Sequence, residues 1–354
     1  GTAAIEDLDG DGIADNQDGD IDGDGVDNAE DQDPRDPDVG AGDGGTPDPV
    51  GVSGFLTEDQ TWTSDRFYIL EGKTYVQDDV TLTIEPGTII KGSPSSGANA
   101  SALIVAQGGT IIADGTAEQP IIFTAEADNI ALGETAGTNL GINDRQLWGG
   151  VLVLGNAPGS FSGDAPSIQV EGIPADEPGL YGGGNPADNS GILDYVSIRH
   201  GGAVIGSDNE INGLTLGGVG TGTQVSNIEV VANLDDGIEW FGGTVNSTNV
   251  LVWGSGDDGL DLDEAYSGTV SNAVTIQENI SDHAFEIDGP AGSFQDSFTV
   301  ENATMFGDNS ADAGANTGNR EYVDLRDGAR CTLKNIYAFG FPQGADVEFD
   351  DDVT

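Results

Sequence analysis

Carboxylates set two residues apart along a glycine-bearing loop are ligands for a hard divalent cation, and the chain carries that pattern twice near its start. Asp7, Asp9, Asp11, Asp15 and Asp18 fall at positions 1, 3, 5, 9 and 12 of a calcium-type loop, with Gly12 at position 6 and the Ile13 carbonyl at position 7. Asp20, Asp22, Asp24, Asn28 and Asp31 repeat the scheme, with Gly25 at the tight turn and Val26 offering the carbonyl. Calcium takes about six to eight oxygen ligands, and alternating Asp on a tight turn supplies them without a large core. Both loops are therefore expected to hold Ca2+. Without it this segment is a polyanion with almost no apolar residues. Asp at position 12, where a helix-loop-helix sensor carries Glu, points to a constitutive structural site.

A second set of carboxylates recurs farther along. Ile238-Glu239-Trp240, Leu260-Asp261-Leu262, Phe285-Glu286-Ile287, Val323-Asp324-Leu325 and Val347-Glu348-Phe349 follow one another at intervals of 22, 25, 38 and 24 residues. On a strand, alternation sends the two apolar residues of each triplet inward and the central acid outward. Stacked, these acids make an exposed column of like charge, with Asp235-Asp236, Asp257-Asp258 and Asp282 at the preceding turns. The column either collects a second, surface array of calcium ions or is a hydrated face that confers solubility. Paired carboxylates also suit glycoside hydrolysis, but groups that recur repeat after repeat behave as scaffold. A lyase needs a basic group near calcium, for which Arg199, Arg326, Arg330 and Lys334 are available. His200 and His283 have no nucleophile pattern beside them and read as structural. No catalytic residue is assigned, and the chain reads as a binding or structural protein more than as an enzyme.

The elements that position these groups form a solenoid. A second column, Ser226-Asn227-Ile228, Thr248-Asn249-Val250, Ser271-Asn272-Ala273, Glu301-Asn302-Ala303 and Lys334-Asn335-Ile336, alternates with the first. Two strands per repeat in constant order, separated by turn residues, are one coil of a stack. The Asn column reads as a buried or semi-buried amide ladder at a turn. The stretch from Gly307 to Asn319 reads as a loop inserted into a regular coil. The predicted fold is all-β, a right-handed parallel β-helix.

The N-terminal Asp loops, over about residues 5–38, resemble thrombospondin type 3 repeats, which implies calcium-wrapped loops acting as a spacer. Leu82-Thr83-Ile84-Glu85-Pro86-Gly87-Thr88, Trp148-Gly149-Gly150-Val151-Leu152-Val153-Leu154, Asn212-Gly213-Leu214-Thr215-Leu216-Gly217-Gly218 and Asp235-Asp236-Gly237-Ile238-Glu239-Trp240-Phe241-Gly242-Gly243 resemble a family of secreted bacterial β-helix surface proteins. That resemblance implies the fold and an envelope or extracellular location, and lends no catalytic residues. The expected organisation is calcium repeats over residues 1–38, a Gly/Pro/Asp linker over 39–51 and the β-helix over 52–354.

Composition sets the class of partner. With 10 Lys+Arg against 63 Asp+Glu the formal net charge is -53, which excludes nucleic acid and anionic membrane surfaces. Cys331 is the single cysteine, so stability rests on stacking and metal rather than on an intrachain disulfide. No apolar run reaches the length of a membrane span. A start at Gly1-Thr2-Ala3-Ala4 reads as a processed mature form, and secretion is inferred from composition and the calcium loops. The last triplet has no capping helix, so the chain is expected either to continue or to stack its open edge on another subunit, the head-to-tail contact that builds filaments. The expected function is an extracellular calcium-dependent structural or adhesive surface protein, with further copies of itself or cell-surface and matrix glycans as partners. The alternative is a glycan-binding or glycan-cleaving β-helix, for which exposure of Trp240 or Trp253 beside the acids would be the mark.

Overall fold

The structure is a computed structural model that describes residues 8–9, 13–15, 17–21, 23, 28, 35, 47–206, 209–308, 321–342 and 344–349. Two compact units divide the chain, residues 1–48 and 49–354. In the larger unit one 21-stranded sheet contains all the long strands, and every strand pairing in it is parallel. The chain is therefore a parallel β-helix. Among the described residues no helix is long and apolar enough to cross a membrane.

Each regular coil has three strands rather than the two expected. Gln224–Val231, Ser247–Trp253, Thr269–Ile276, Phe298–Phe306 and Cys331–Phe339 are each bent once, so one continuous strand serves two sheets. The bend is the Asn of the second column. Asn227, Asn249, Asn272, Asn302 and Asn335 all have φ between 53° and 59°, a left-handed conformation that Asn tolerates better than other residues with a side chain. Each donates its amide to the residue one coil back: Asn249 to Asn227 at 2.9 Å, Asn272 to Asn249 at 2.9 Å, Asn302 to Asn272 at 3.4 Å and Asn335 to Asn302 at 3.0 Å. Asn227 ends the series on Asp194, where Tyr195 makes the corner. The amide ladder exists, but it runs along the outside. Asn227 is half-buried and the other four are exposed, because a side chain at a convex corner points away from the interior.

The third sheet carries the acid triplets. Leu214–Gly217, Ile238–Phe241, Leu260–Asp263, Phe285–Ile287, Val323–Leu325 and Val347–Phe349 stack in register, aligning Thr215, Glu239, Asp261, Glu286, Asp324 and Glu348. Their neighbours Leu214, Leu216, Ile238, Trp240, Leu260, Leu262, Phe285 and Ile287 are fully buried inside the coil. Alternation thus works as the sequence dictates, and Trp240 is an interior residue.

Outside this interior lies a second apolar cluster. The outward column of the third sheet is apolar in its early coils, where Tyr75, Ile104 and Leu152 align. Phe161, Val170, Ile173 and Tyr181 from the segment 155–190, with Ala203 and Ile211 from 203–212, pack over that column and Leu154. Each covering segment carries a short antiparallel hairpin, Ile168–Gln169 with Leu180–Tyr181 and Val204–Gly206 with Asn209–Glu210. Lys73 Nζ holds Glu177 at 3.1 Å, and the Tyr75 hydroxyl donates to the same carboxylate. Of the inserted loop expected at Gly307 to Asn319, residues 309–319 lie outside the described residues.

Candidate functional site

The acidic column is buried rather than exposed over its first four coils, and Glu348 in the last is half-buried. Glu239 is 6% exposed and Asp261 9%, and Glu286 and Asp324 are buried as well. They point away from the interior as predicted, but the outward side is covered. Asn212 from one covering segment donates its amide to Glu239, and Glu171 and Glu210 add their charges to the same region. Oxygen atoms of Asp236, Glu239 and Asp261 lie within 4.8 Å of one another, and so do those of Asp235, Asp236 and Asp257.

Glycine fixes the turn that delivers these groups. A Cβ on Gly237 would stand 2.2 Å from Val252 Cγ1 and 2.6 Å from the Gly259 carbonyl, so the Asp235-Asp236 turn lies flat on the neighbouring strand only with glycine there. The turns are also laced together. Asp236 Oδ1 accepts the Asp258 N–H at 2.9 Å, and Asp258 Oδ1 accepts the His283 N–H at 2.6 Å. His283 is therefore not a lone histidine: its Nδ1 is 3.0 Å from Asp258 Oδ1, and Nε2 lies 3.5 Å from Glu321.

Burial pushes the carboxyls of Asp236, Glu239, Asp258 and Asp261 well above the usual carboxylate range, and repulsion from neighbouring carboxylates, Asp235, Asp257 and Asp263 among them, pushes them farther. Asp235 and Asp288 rise to about 7 and Asp263 to about 6, in each case chiefly through burial. Relief comes from His283, whose charge lowers Asp257, and from Arg326. Arg326 is bidentate on Asp288 at 2.7 and 2.9 Å, meets Glu286 and stands 3.9 Å from Asp324. Chemically, such a face can share protons or bind hard cations.

The N-terminal unit repeats its own geometry. Asp15 Oδ1 accepts the Leu8 N–H at 2.9 Å, and Asn28 Oδ1 accepts the Ile21 N–H at 2.9 Å. These are the same two loop positions, one repeat apart. Asp20 Oδ1 accepts the Gly23 N–H at 3.0 Å, Asn28 donates to the Asp18 carbonyl at 2.7 Å, and Arg35 pairs with Asp15 at 2.8 Å. Asp9 and Ile13 are also described, with the Ile13 side chain exposed. Asp7, Asp11, Asp22, Asp24, Val26 and Asp31 of the expected ligand set lie outside the described residues.

Residues 54–354 match the family described as a pectate-lyase-like β-helix domain. The chain belongs to that family. Among solved structures, this pectate-lyase-like β-helix is similar to the Agl-KA catalytic domain at 15% identity and a TM-score of 0.40, covering 79% of this chain and 48% of that one. It is similar to the full-length tailspike protein 2 of a bacteriophage of Escherichia coli O157:H7 at 12% identity and a TM-score of 0.27, covering 80% of this chain and 38% of that one. The chain thus spans less than half the length of either. No curated protein matches it.

Sequence reading missed the covering segments and with them Asn212, Glu171 and Glu210. The usable signal was apolar. Phe161, Val170, Ile173 and Tyr181 punctuate a Gly/Pro-rich stretch that would otherwise be polar, and the outward Tyr75, Ile104 and Leu152 demand a cover.

Proposed function

We propose that the chain is an extracellular, calcium-dependent structural or adhesive surface protein. The observation that carries this reading is the burial of the acidic column. Glu239, Asp261, Glu286 and Asp324 recur at one register position on successive coils and lie covered, the placement of a scaffold rather than of a cleft open to a polymer. The sheet formed by the bent strands beyond their Asn corners supplies a contact surface. Its outward column aligns Val231, Trp253, Ile276, Phe306 and Phe339, with the Phe306 and Phe339 rings 4.3 Å apart. An apolar stripe on so acidic a chain marks a place of interaction. Electron microscopy with light scattering, in millimolar calcium and after chelation, tests the reading. Calcium-dependent fibres or large oligomers are expected, and a monomer in both conditions would remove self-assembly.

A glycan-binding or glycan-cleaving role is the second reading, and one observation favours it. Trp253, 40% exposed, borders a hollow of about 290 Å³ that Arg199, His200 and Glu229 also line, with Arg199 and Glu229 paired at 3.1 Å. An aromatic side chain with a few fixed polar groups in a concavity is how small ligands are held. The family name, taken from an enzyme acting on a polysaccharide, supports the same reading. A glycan-binding and cleavage screen of the full chain and of Trp253→Ala decides: binding or turnover lost in the variant is expected, and none in either protein discards the reading.

A further inference from the structure

Positive charge is unevenly distributed along the buried acids. Arg326 serves Glu286, Asp288 and Asp324. One and two coils away, Asp236, Glu239 and Asp261 have no Lys, Arg or His hydrogen-bonded to them or ion-paired with them among the described residues, although oxygens of all three converge within 4.8 Å. A calcium–oxygen bond is about 2.4 Å long, so two ligands of one ion can be at most about 4.8 Å apart. The three carboxylates meet that limit as they stand.

A neutral side chain points the same way. Asn212, only 4% exposed, donates Nδ2 to Glu239 and leaves its Oδ1 buried with no hydrogen-bond partner. Asp261 Oδ1 is likewise buried and without a partner. Buried oxygens nearly always find a donor. Two that do not, beside one carboxylate cluster, are lone pairs placed for a cation.

We propose that Asp236, Glu239 and Asp261, with the amide oxygen of Asn212, bind one divalent cation of the calcium type on the outward side of the third sheet, beneath its covering segment. The donors are all oxygen and carry three formal negative charges, the set that selects a hard ion over zinc or copper. Asp236 keeps one oxygen on the Asp258 N–H and offers the other. The ion joins the coil of Ile238–Phe241 to the coil of Leu260–Asp263 and, through Asn212, fastens a covering segment to both. It is distinct from the N-terminal loops, and it stands whether the chain is a scaffold or acts on glycans, so its failure would leave the proposed function untouched.

Equilibrium dialysis of the full chain against calcium counts the bound ions. Glu239→Gln and Asp261→Asn should each bind one ion fewer per chain than the unaltered protein, while Glu118→Gln, an exposed carboxylate elsewhere, should keep the full count. An unchanged count in both site variants overturns the proposal. Since a site variant could instead fail to fold, crystals of the unaltered chain soaked in Mn2+ give an independent answer. An anomalous peak between Asp236, Glu239 and Asp261 is expected; manganese bound elsewhere with none there overturns the proposal as well.

Discussion

Tyr181 donates its hydroxyl to Glu264 at 2.9 Å, tying a covering segment to the coil beneath it. Burial, helped by the charge of Asp263, raises the Glu264 carboxyl from its ordinary 4.5 to about 8. The sign follows from proton counting. Between those values the folded chain holds a proton that the unfolded chain has released, so this group's contribution to stability falls as pH rises from about 4.5 to 8. Glu264→Gln accepts the same hydrogen bond without titrating. Its melting temperature is expected to fall less than that of the unaltered protein across this window, as thermal unfolding in a pH series would read; parallel profiles would refute the assignment. At this scale the sequence shows which way a side chain points and not what covers it. Glu239 points outward because Ile238 and Trp240 point inward, a matter of adjacent residues. Its burial depends on Asn212, on another coil, and on a covering segment some seventy positions back. No local pattern encodes that.

The Asn corner is the element on which the coil geometry turns. Asn249 donates to Asn227 and accepts from Asn272 at a φ of 57°. Asn249→Ala loses both bonds and sets a Cβ-bearing residue without a polar side chain in a left-handed conformation, with an expected cost of about 1–3 kcal/mol. Asn249→Gly loses the same bonds but accepts the backbone shape, so it is expected to be the milder change. Urea unfolding of the two variants separates the contributions, and equal losses would show that the bonds alone matter. The column was legible because one residue type recurred in phase with the acid triplets. The third strand of each coil was not, because a strand bent at a single residue leaves no break in the apolar pattern. The exposure of the corner follows from convexity, which periodicity does not encode.

Across the molecule, 63 acidic residues face 10 Lys and Arg, and the charge divides into two populations. Surface carboxylates lie within reach of mobile ions, whose screening length is about 8 Å at physiological salt and about 3 Å at 1 M. The buried carboxylates are out of that reach. Concentrated potassium chloride is therefore expected to raise the melting temperature of the chelated protein only part of the way, and millimolar calcium to add a further increase at the same ionic strength. Differential scanning calorimetry over a potassium chloride series, with and without calcium at matched ionic strength, measures both, and a calcium effect that vanishes in 1 M salt would assign the whole requirement to the surface. Composition alone announced the charge. Its division into a wet and a dry part emerged only with the fold.

The in-register stacking of the bent strands also makes the number of coils a variable separate from their cross-section. Gln224–Val231 presents to Ser247–Trp253 the same edge that Ser247–Trp253 presents to Thr269–Ile276. A gene segment encoding one whole coil could thus be duplicated or lost with every remaining edge still matched. Length is free to drift by whole turns, while the turns that converge on Asp236, Glu239 and Asp261 are the ones such drift cannot remove without taking their ligand set apart.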